Sequence, residues 1–209
     1  TTNTWSPGPT LTSRSYGCAA LPVSNDRILV IGGRRHISGK SYLSTTEIVD
    51  LTSGASTPGP AMSCPRGYHS AVLLQDGRVL VIGGTNSTHR SLSTTEILDL
   101  TRGTSSPGPG MEAARHVASV TLLPDGSVLI IGGKQQNGTD LATTEVLDVA
   151  GNTTSAGPEL GIPRSYCTTV RLPGNRIFVM GGYSNDGVEC TSEILGMPTE
   201  EGHQQKRRR

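Results

Sequence analysis

Three tyrosines, Tyr16, Tyr68 and Tyr166, each stand two residues after an arginine, namely Arg14, Arg66 and Arg164. A fourth arginine, Arg115, is followed at the same distance by Val117. A ring with a hydroxyl handle can stack on a sugar or hydrogen-bond a peptide, so three of them at matching positions predict an aromatic rim. Cationic side chains occupy the loops that follow. These are Arg34, Arg35, His36 and Lys40, then His89 and Arg90, then Lys134, while Tyr183 opens the matching loop near the C-terminus. Such a set suits an anionic glycan or an acidic peptide. His69, next to Tyr68, reads as a histidine held inside a strand. Other chemistries find little support. The cysteines Cys18, Cys64, Cys167 and Cys190 fit no CxxC pattern. No Ser-His-Asp arrangement follows from spacing, and no phosphate cradle is present, because the glycine doublets lead into loops and not helices. No catalytic residue, cofactor or metal site is expected.

What positions these residues is a repeat. Glycine doublets fall at Gly32-Gly33, Gly83-Gly84, Gly132-Gly133 and Gly181-Gly182, at intervals of 51, 49 and 49 residues. The four arginines precede the doublets, and Glu47, Glu96, Glu145 and Glu193 follow them. Each arginine is itself preceded by a Pro-Gly-Pro or, once, by Ala156-Gly157-Pro158. One unit shows the strand pattern plainly. Ser70 to Leu74 form a first strand, Asp76-Gly77 a two-residue turn, and Val79 to Ile82 a second strand that is apolar throughout and so buried on both faces. A polar loop then leads to a third strand over Thr95 to Leu100 and a weak fourth around Thr104 to Ser106. Residues that recur in every unit serve what every unit shares. Doublets, arginines and glutamates therefore read as structural, with Arg and Glu paired within or between units.

Composition narrows the function classes. Of 209 residues, 27 are Gly and 13 Pro while aromatics make up 3%, which fits many short strands and turns and no long amphipathic helices. Net charge is +1, with four positive charges in Lys206 to Arg209. The body is near neutral and lacks the broad basic face that nucleic acid requires. No apolar run approaches the roughly eighteen residues of a membrane span. Sequons at Asn86, Asn137 and Asn152, with an even number of cysteines, point to a secreted or cell-surface protein, the alternative being cytoplasmic.

The doublet that closes the second strand, the acidic-apolar third strand such as Glu96-Ile97-Leu98-Asp99, and a fourth-strand Trp at Trp5 resemble the kelch repeat from Trp5 to about Leu195. Ser56, Ser105 and Thr154 stand where the other units would carry that Trp. The resemblance implies an all-β, kelch-type β-propeller of four blades with four antiparallel strands each, closed by the N-terminal strand completing the last blade. The propeller is expected over 1–195, with repeats near 10–58, 59–107, 108–156 and 157–195 plus 1–9, followed by a polar basic tail at 196–209. Tyr68 and His69 also match a copper-binding Tyr-His pair of the galactose oxidase and glyoxal oxidase family. That family further implies a thioether-linked cysteine at the tyrosine register and a histidine from a separate domain, and neither has a counterpart in this sequence. The expected function is a non-enzymatic binding or scaffold module that recognises a protein or glycan through the face bearing the inter-blade and post-doublet loops. The alternatives are an extracellular structural subunit, forming oligomers or filaments by exchange of a terminal strand, and a copper-oxidase remnant.

Overall fold

The computed structural model describes residues 4–13, 15–35 and 41–196. Arg14, His36, Lys40 and Lys206 to Arg209 lie outside them. Every regular element among the described residues is a strand, and no helix is long and apolar enough to cross a membrane. The chain divides into two compact units, Thr1–Gly108 and Pro109–Arg209.

The first unit holds two sheets. In the first sheet β1 (Ala19–Ser24) and β2 (Arg27–Ile31) form a hairpin. The two-residue ladder β3 (Arg34–Arg35) and β4 (Ser41–Tyr42) brackets the post-doublet loop, and β5 (Thr46–Asp50) and β6 (Ser56–Pro58) complete the sheet in the order β1-β2-β5-β6. The second sheet is β7 (Ser70–Leu73), β8 (Val79–Ile82), β9 (Thr95–Asp99) and β10 (Thr104–Pro107), again in sequence order. All four residues of β8 are buried, because both of its faces are covered. Leu29 and Ile31 from β2 meet Val79, Val81 and Leu98 of the second sheet, with Met62 from the connecting segment filling the seam.

The second unit repeats the plan. Its third sheet is β11 (Ser119–Leu122), β12 (Val128–Ile131), β13 (Thr144–Asp148) and β14 (Thr153–Ala156). The fourth sheet has β15 (Thr168–Leu172) and β16 (Arg176–Met180), a short ladder of β17 (Tyr183–Ser184) with β18 (Gly187–Val188), and β19 (Ser192–Gly196). Leu129 and Ile131 meet Ile177, Val179 and Leu195 in its core. The fold is therefore all-β, built of four blade-like antiparallel sheets.

The expected closure of the last blade is not formed among the described residues. The fourth sheet has three strands, β15-β16-β19, and residues 4 to 10 form no strand, with Trp5 fully exposed. Trp5 holds the register at which Ser56 donates to Glu47 (2.9 Å) and Ser105 to Glu96 (2.8 Å).

One charged lattice recurs. Arg66 donates to the carbonyls of Gly83 and Thr94 (both 3.0 Å) and to Glu96 (2.7 Å). It thus ties the end of β8 to the start of β9. Arg115 joins Gly132, Thr143 and Glu145 in the same way, and Arg164 joins Gly181, Thr191 and Glu193. Each glutamate also accepts from the two amides that precede the arginine, as Glu96 does from Ser63 (2.6 Å) and Cys64 (3.2 Å). Burial alone would raise the Glu96 carboxyl, but these amides, Ser105 and Arg66 hold it below its ordinary value. The first sheet differs. Glu47 is satisfied by the Thr12 and Ser13 amides, the Thr12 hydroxyl and Ser56, and Ser15 stands seventeen residues before Gly32, where the other sheets have arginine. Arg14 is one residue out of that register.

The tyrosine register needs the same correction. Tyr16 pairs with Arg34 as Gly67 pairs with Thr85, His116 with Lys134 and Ser165 with Tyr183. The residues equivalent to Tyr68, Val117 and Tyr166 therefore include Gly17 and not Tyr16, and all four have positive φ, between 48° and 63°. This left-handed turn aims the Tyr68 amide at the Gly17 carbonyl (2.7 Å) and the Tyr166 amide at the Val117 carbonyl (3.0 Å), linking adjacent sheets within each unit.

Gly32 shows why the doublet is glycine. Its φ is +54°, and an added Cβ would stand 2.6 Å from the Arg66 carbonyl oxygen, on backbone that accepts the Gly33 amide at 2.9 Å and cannot step aside. Gly32→Ala is expected to lower the unfolding free energy by about 2–4 kcal/mol, from left-handed strain plus the clash. Urea unfolding followed by circular dichroism measures it, and a loss below about 0.5 kcal/mol, the size of an ordinary surface change, would refute this account of the doublet.

Candidate functional site

The loop-bearing end of the first unit collects aromatic and cationic side chains. Tyr16 and Arg34 exchange backbone hydrogen bonds (3.1 and 2.8 Å), which fixes the Arg34 side chain beside two rings. Its guanidinium lies 5.8 Å from the centroid of Tyr16 and 5.5 Å from that of Tyr42. Tyr68 meets Tyr16 edge to face at 6.2 Å. Tyr42 is buried, and its ring lies against Gly67, where a Cβ would come within 3.2 Å. The Tyr42 hydroxyl accepts from Thr85 Oγ1 (3.2 Å) and shares a 3.0 Å hydrogen bond with His89 Nδ1, whose ring meets it edge to face at 5.6 Å. Arg34 therefore stands on a supported aromatic wall.

Electrostatics single out the same group. Among the described residues neither Arg34 nor Arg35 has a carboxylate within ion-pair distance, and Arg34 Nε is buried without a hydrogen-bond partner. Arg35, at the exposed rim, donates to Ser13 Oγ (3.1 Å). A guanidinium between rings and without a counter-ion keeps its donors available for a planar anion.

The second unit carries a different cluster at the equivalent end. Tyr166 and Tyr183 form an exposed edge-to-face pair at 5.9 Å. Lys134 is neutralised by buried Asp140 (3.0 Å), whose amide donates to Asn185 Oδ1 (3.0 Å). Burial, and then the Lys134 charge, hold the His116 imidazole below its ordinary value. Sequence reasoning missed Tyr42, Asp140 and His116. The available signal was their pairing partner, since Arg34 faces Tyr42 and Lys134 faces both His116 and Asp140 across the post-doublet ladders.

Tyr68 and His69 lie in different surroundings. The Tyr68 ring covers Gly17 (3.0 Å to a Cβ there) and meets Tyr16, whereas the His69 ring is buried against Gly32 and is held to a pKa of about 4, by burial first and by the Arg66 charge second. Among the described residues no three His, Cys, Asp or Glu side chains come together as a metal group, and all four cysteines are free thiols.

The sequons differ in their surroundings. Asn86 Oδ1 accepts from Thr88 and Arg90 and Asn137 Oδ1 from Thr139, each in a tight turn, but Asn86 is half-buried whereas Asn137 and Asn152 are exposed.

Residues 15–63 and 66–112 match the kelch motif. These two stretches hold the first two blade-like sheets, and the third and fourth sheets repeat their strand order. It is 31% identical over 93 residues to galactose oxidase of Gibberella zeae, and a second galactose oxidase sequence of that fungus matches equally. The match covers 40% of this chain, which spans 13% of the length of those enzymes.

Proposed function

We propose that the chain is a non-enzymatic binding module whose loop-bearing end recognises a protein or glycan partner through an acidic group. The observation that carries this reading is Arg34, set between the Tyr16 and Tyr42 rings without a carboxylate partner among the described residues. A ligand carboxylate or sulfate would receive the guanidinium donors, and the flanking rings would stack on a sugar or peptide plane. Tyr16 and Tyr68 extend this wall, while Tyr166 and Tyr183 offer a second aromatic surface in the other unit. Kelch repeats support a protein-interaction role. An extracellular setting belongs to the same reading, supported by the exposed sequons Asn137 and Asn152.

The test is an array of acidic peptides and of neutral, carboxylated and sulfated glycans, probed with wild type, Arg34→Ala and the triple variant Tyr16→Ala/Tyr68→Ala/Tyr166→Ala. Binding to an acidic ligand is expected to fall roughly ten- to hundredfold in Arg34→Ala, the worth of a hydrogen bond to a charged group. Unchanged binding in both variants would refute the proposal, as would selection of neutral ligands alone.

A further inference from the structure

Asn137 and Gly138 form the sole Asn-Gly step in the chain. Glycine has no Cβ, so its amide nitrogen is open to the side-chain carbonyl carbon of the asparagine before it. Any other residue shields that approach. The remaining described asparagines are all shielded in this way, because Asn25 and Asn185 precede aspartate, Asn86 serine, Asn152 threonine and Asn175 arginine.

The structure adds the geometry. Residues 136–139 are exposed in the post-doublet loop of the third sheet. The turn is tied off by the Gln135 amide, which donates to the Thr139 carbonyl (2.9 Å), and by the Gly138 amide, which donates to the Gln135 carbonyl (3.0 Å). Within it the Thr139 amide donates to Asn137 Oδ1 (3.1 Å). That bond folds the carboxamide back over the Gly138 peptide and aims a donor at the oxygen on which negative charge collects when a nitrogen adds to Cγ. Gly138 has φ +89° and open space where a Cβ would stand, so nothing blocks the approach. Asn86 has a similar turn without the same opportunity. Its Oδ1 accepts from the Thr88 amide and hydroxyl and the Arg90 amide, but it is half-buried and the next residue is Ser87.

We propose that Asn137 is a self-modification site at which the Gly138 nitrogen closes a succinimide ring. The nitrogen bonds to Asn137 Cγ, the Cγ–Nδ2 bond breaks, and Nδ2 leaves as ammonia with the proton of the Gly138 amide. Water then opens the ring at either carbonyl, leaving aspartate or isoaspartate. The loop-bearing end of the second unit thereby gains a negative charge with time. Lys134 holds this turn, since its Nζ donates to the Gly138 carbonyl (3.2 Å) and pairs with buried Asp140 (3.0 Å). A carboxylate at residue 137 competes with Asp140 for that ammonium. Isoaspartate also lengthens the main chain inside the turn, which strains the bond from the Asp140 amide to Asn185 Oδ1 (3.0 Å). The proposal is independent of the Arg34 site, which lies in the other unit.

The test is incubation of the full chain in mildly alkaline heavy-oxygen water, followed by anion exchange and peptide mapping by mass spectrometry. The chain is produced without N-glycans, because a sugar on Nδ2 would block the leaving group. A more acidic form is expected to accumulate with label at residue 137, at least about tenfold faster than at Asn86 or Asn152, a barrier difference of about 1.4 kcal/mol. Asn137→Gln should not give this form, since its closure needs a six-membered ring, and Asn137→Asp should carry the added charge from the start. In the isolated acidic form the Asp140 amide should exchange with solvent faster than in wild type. Asn137 left intact in the folded chain, or label entering Asn86 or Asn152 as fast, would overturn the proposal. Unchanged exchange at the Asp140 amide would overturn its coupling to the Lys134 pair.

Discussion

Replacing Glu96 by alanine is expected to lower the unfolding free energy by about 3–5 kcal/mol, the cost of leaving one member of a buried ion pair behind. The Arg66 and Glu96 side chains are 1% and 4% exposed and 2.7 Å apart. Without the carboxylate, the Arg66 charge and the Ser63 and Cys64 amides would all lose their acceptor inside the protein. Glu145→Ala should behave alike, since Arg115 and Glu145 have the same exposures. Glu193 makes the comparison informative. It also pairs with an arginine and two amides, but its side chain is 28% exposed, so water can reach the groups left behind. A smaller loss, about 1–2 kcal/mol, is expected for Glu193→Ala. Guanidinium unfolding of the three variants measures the order, and equal losses at all three positions would contradict the role given to burial. Replacing both members of the Arg66 and Glu96 pair by apolar residues of similar size should recover much of the loss, because no orphaned charge remains.

The repeat was legible in the sequence because it is written in residue types that have few substitutes. The doublet glycines follow from positive φ beside a neighbour's backbone, and the apolar run Val79 to Ile82 follows from burial on two faces. The arginine and glutamate landmarks were legible for the same reason, with one exception that is itself instructive. Arg14 has the right type but lies one residue further from its doublet than the other three arginines do, so that Ser15 holds the arginine position, as the Tyr16 to Arg34 bridge also shows. A single-residue slip is small in spacing yet moves every side chain to the other face of a strand. The Tyr42, Thr85 and His89 network escaped notice for a different reason. These residues meet through a 43- to 47-residue separation in sequence, across two sheets, and none of them recurs in the repeat.

Stability should fall steeply on mild acidification because of His69. Its ring is buried with neither nitrogen in a well-formed hydrogen bond, the nearest backbone partners being Arg66 and Ile31, and its pKa is held at about 4 against an ordinary 6.5. Burial is the larger cause and the Arg66 charge the second, with Glu96 acting in the opposite direction. The unfolded chain therefore takes up a proton near pH 6.5 that the folded protein refuses until about pH 4. Within that window the unfolded state binds more protons, so stability is full above the unfolded value and is lost as pH falls toward the folded one. The loss amounts to about 2 kcal/mol between pH 7 and 5 and about 3 kcal/mol by pH 4, at roughly 1.4 kcal/mol per pH unit. His69→Leu removes this titration and leaves every carboxylate in place. The difference in urea stability between wild type and His69→Leu should accordingly shift by those amounts across the window, in favour of the variant as pH falls. A difference that stays constant from pH 7 to pH 4 would show that His69 ionises freely in the folded protein, and that its ring is not sealed against the Gly32 backbone.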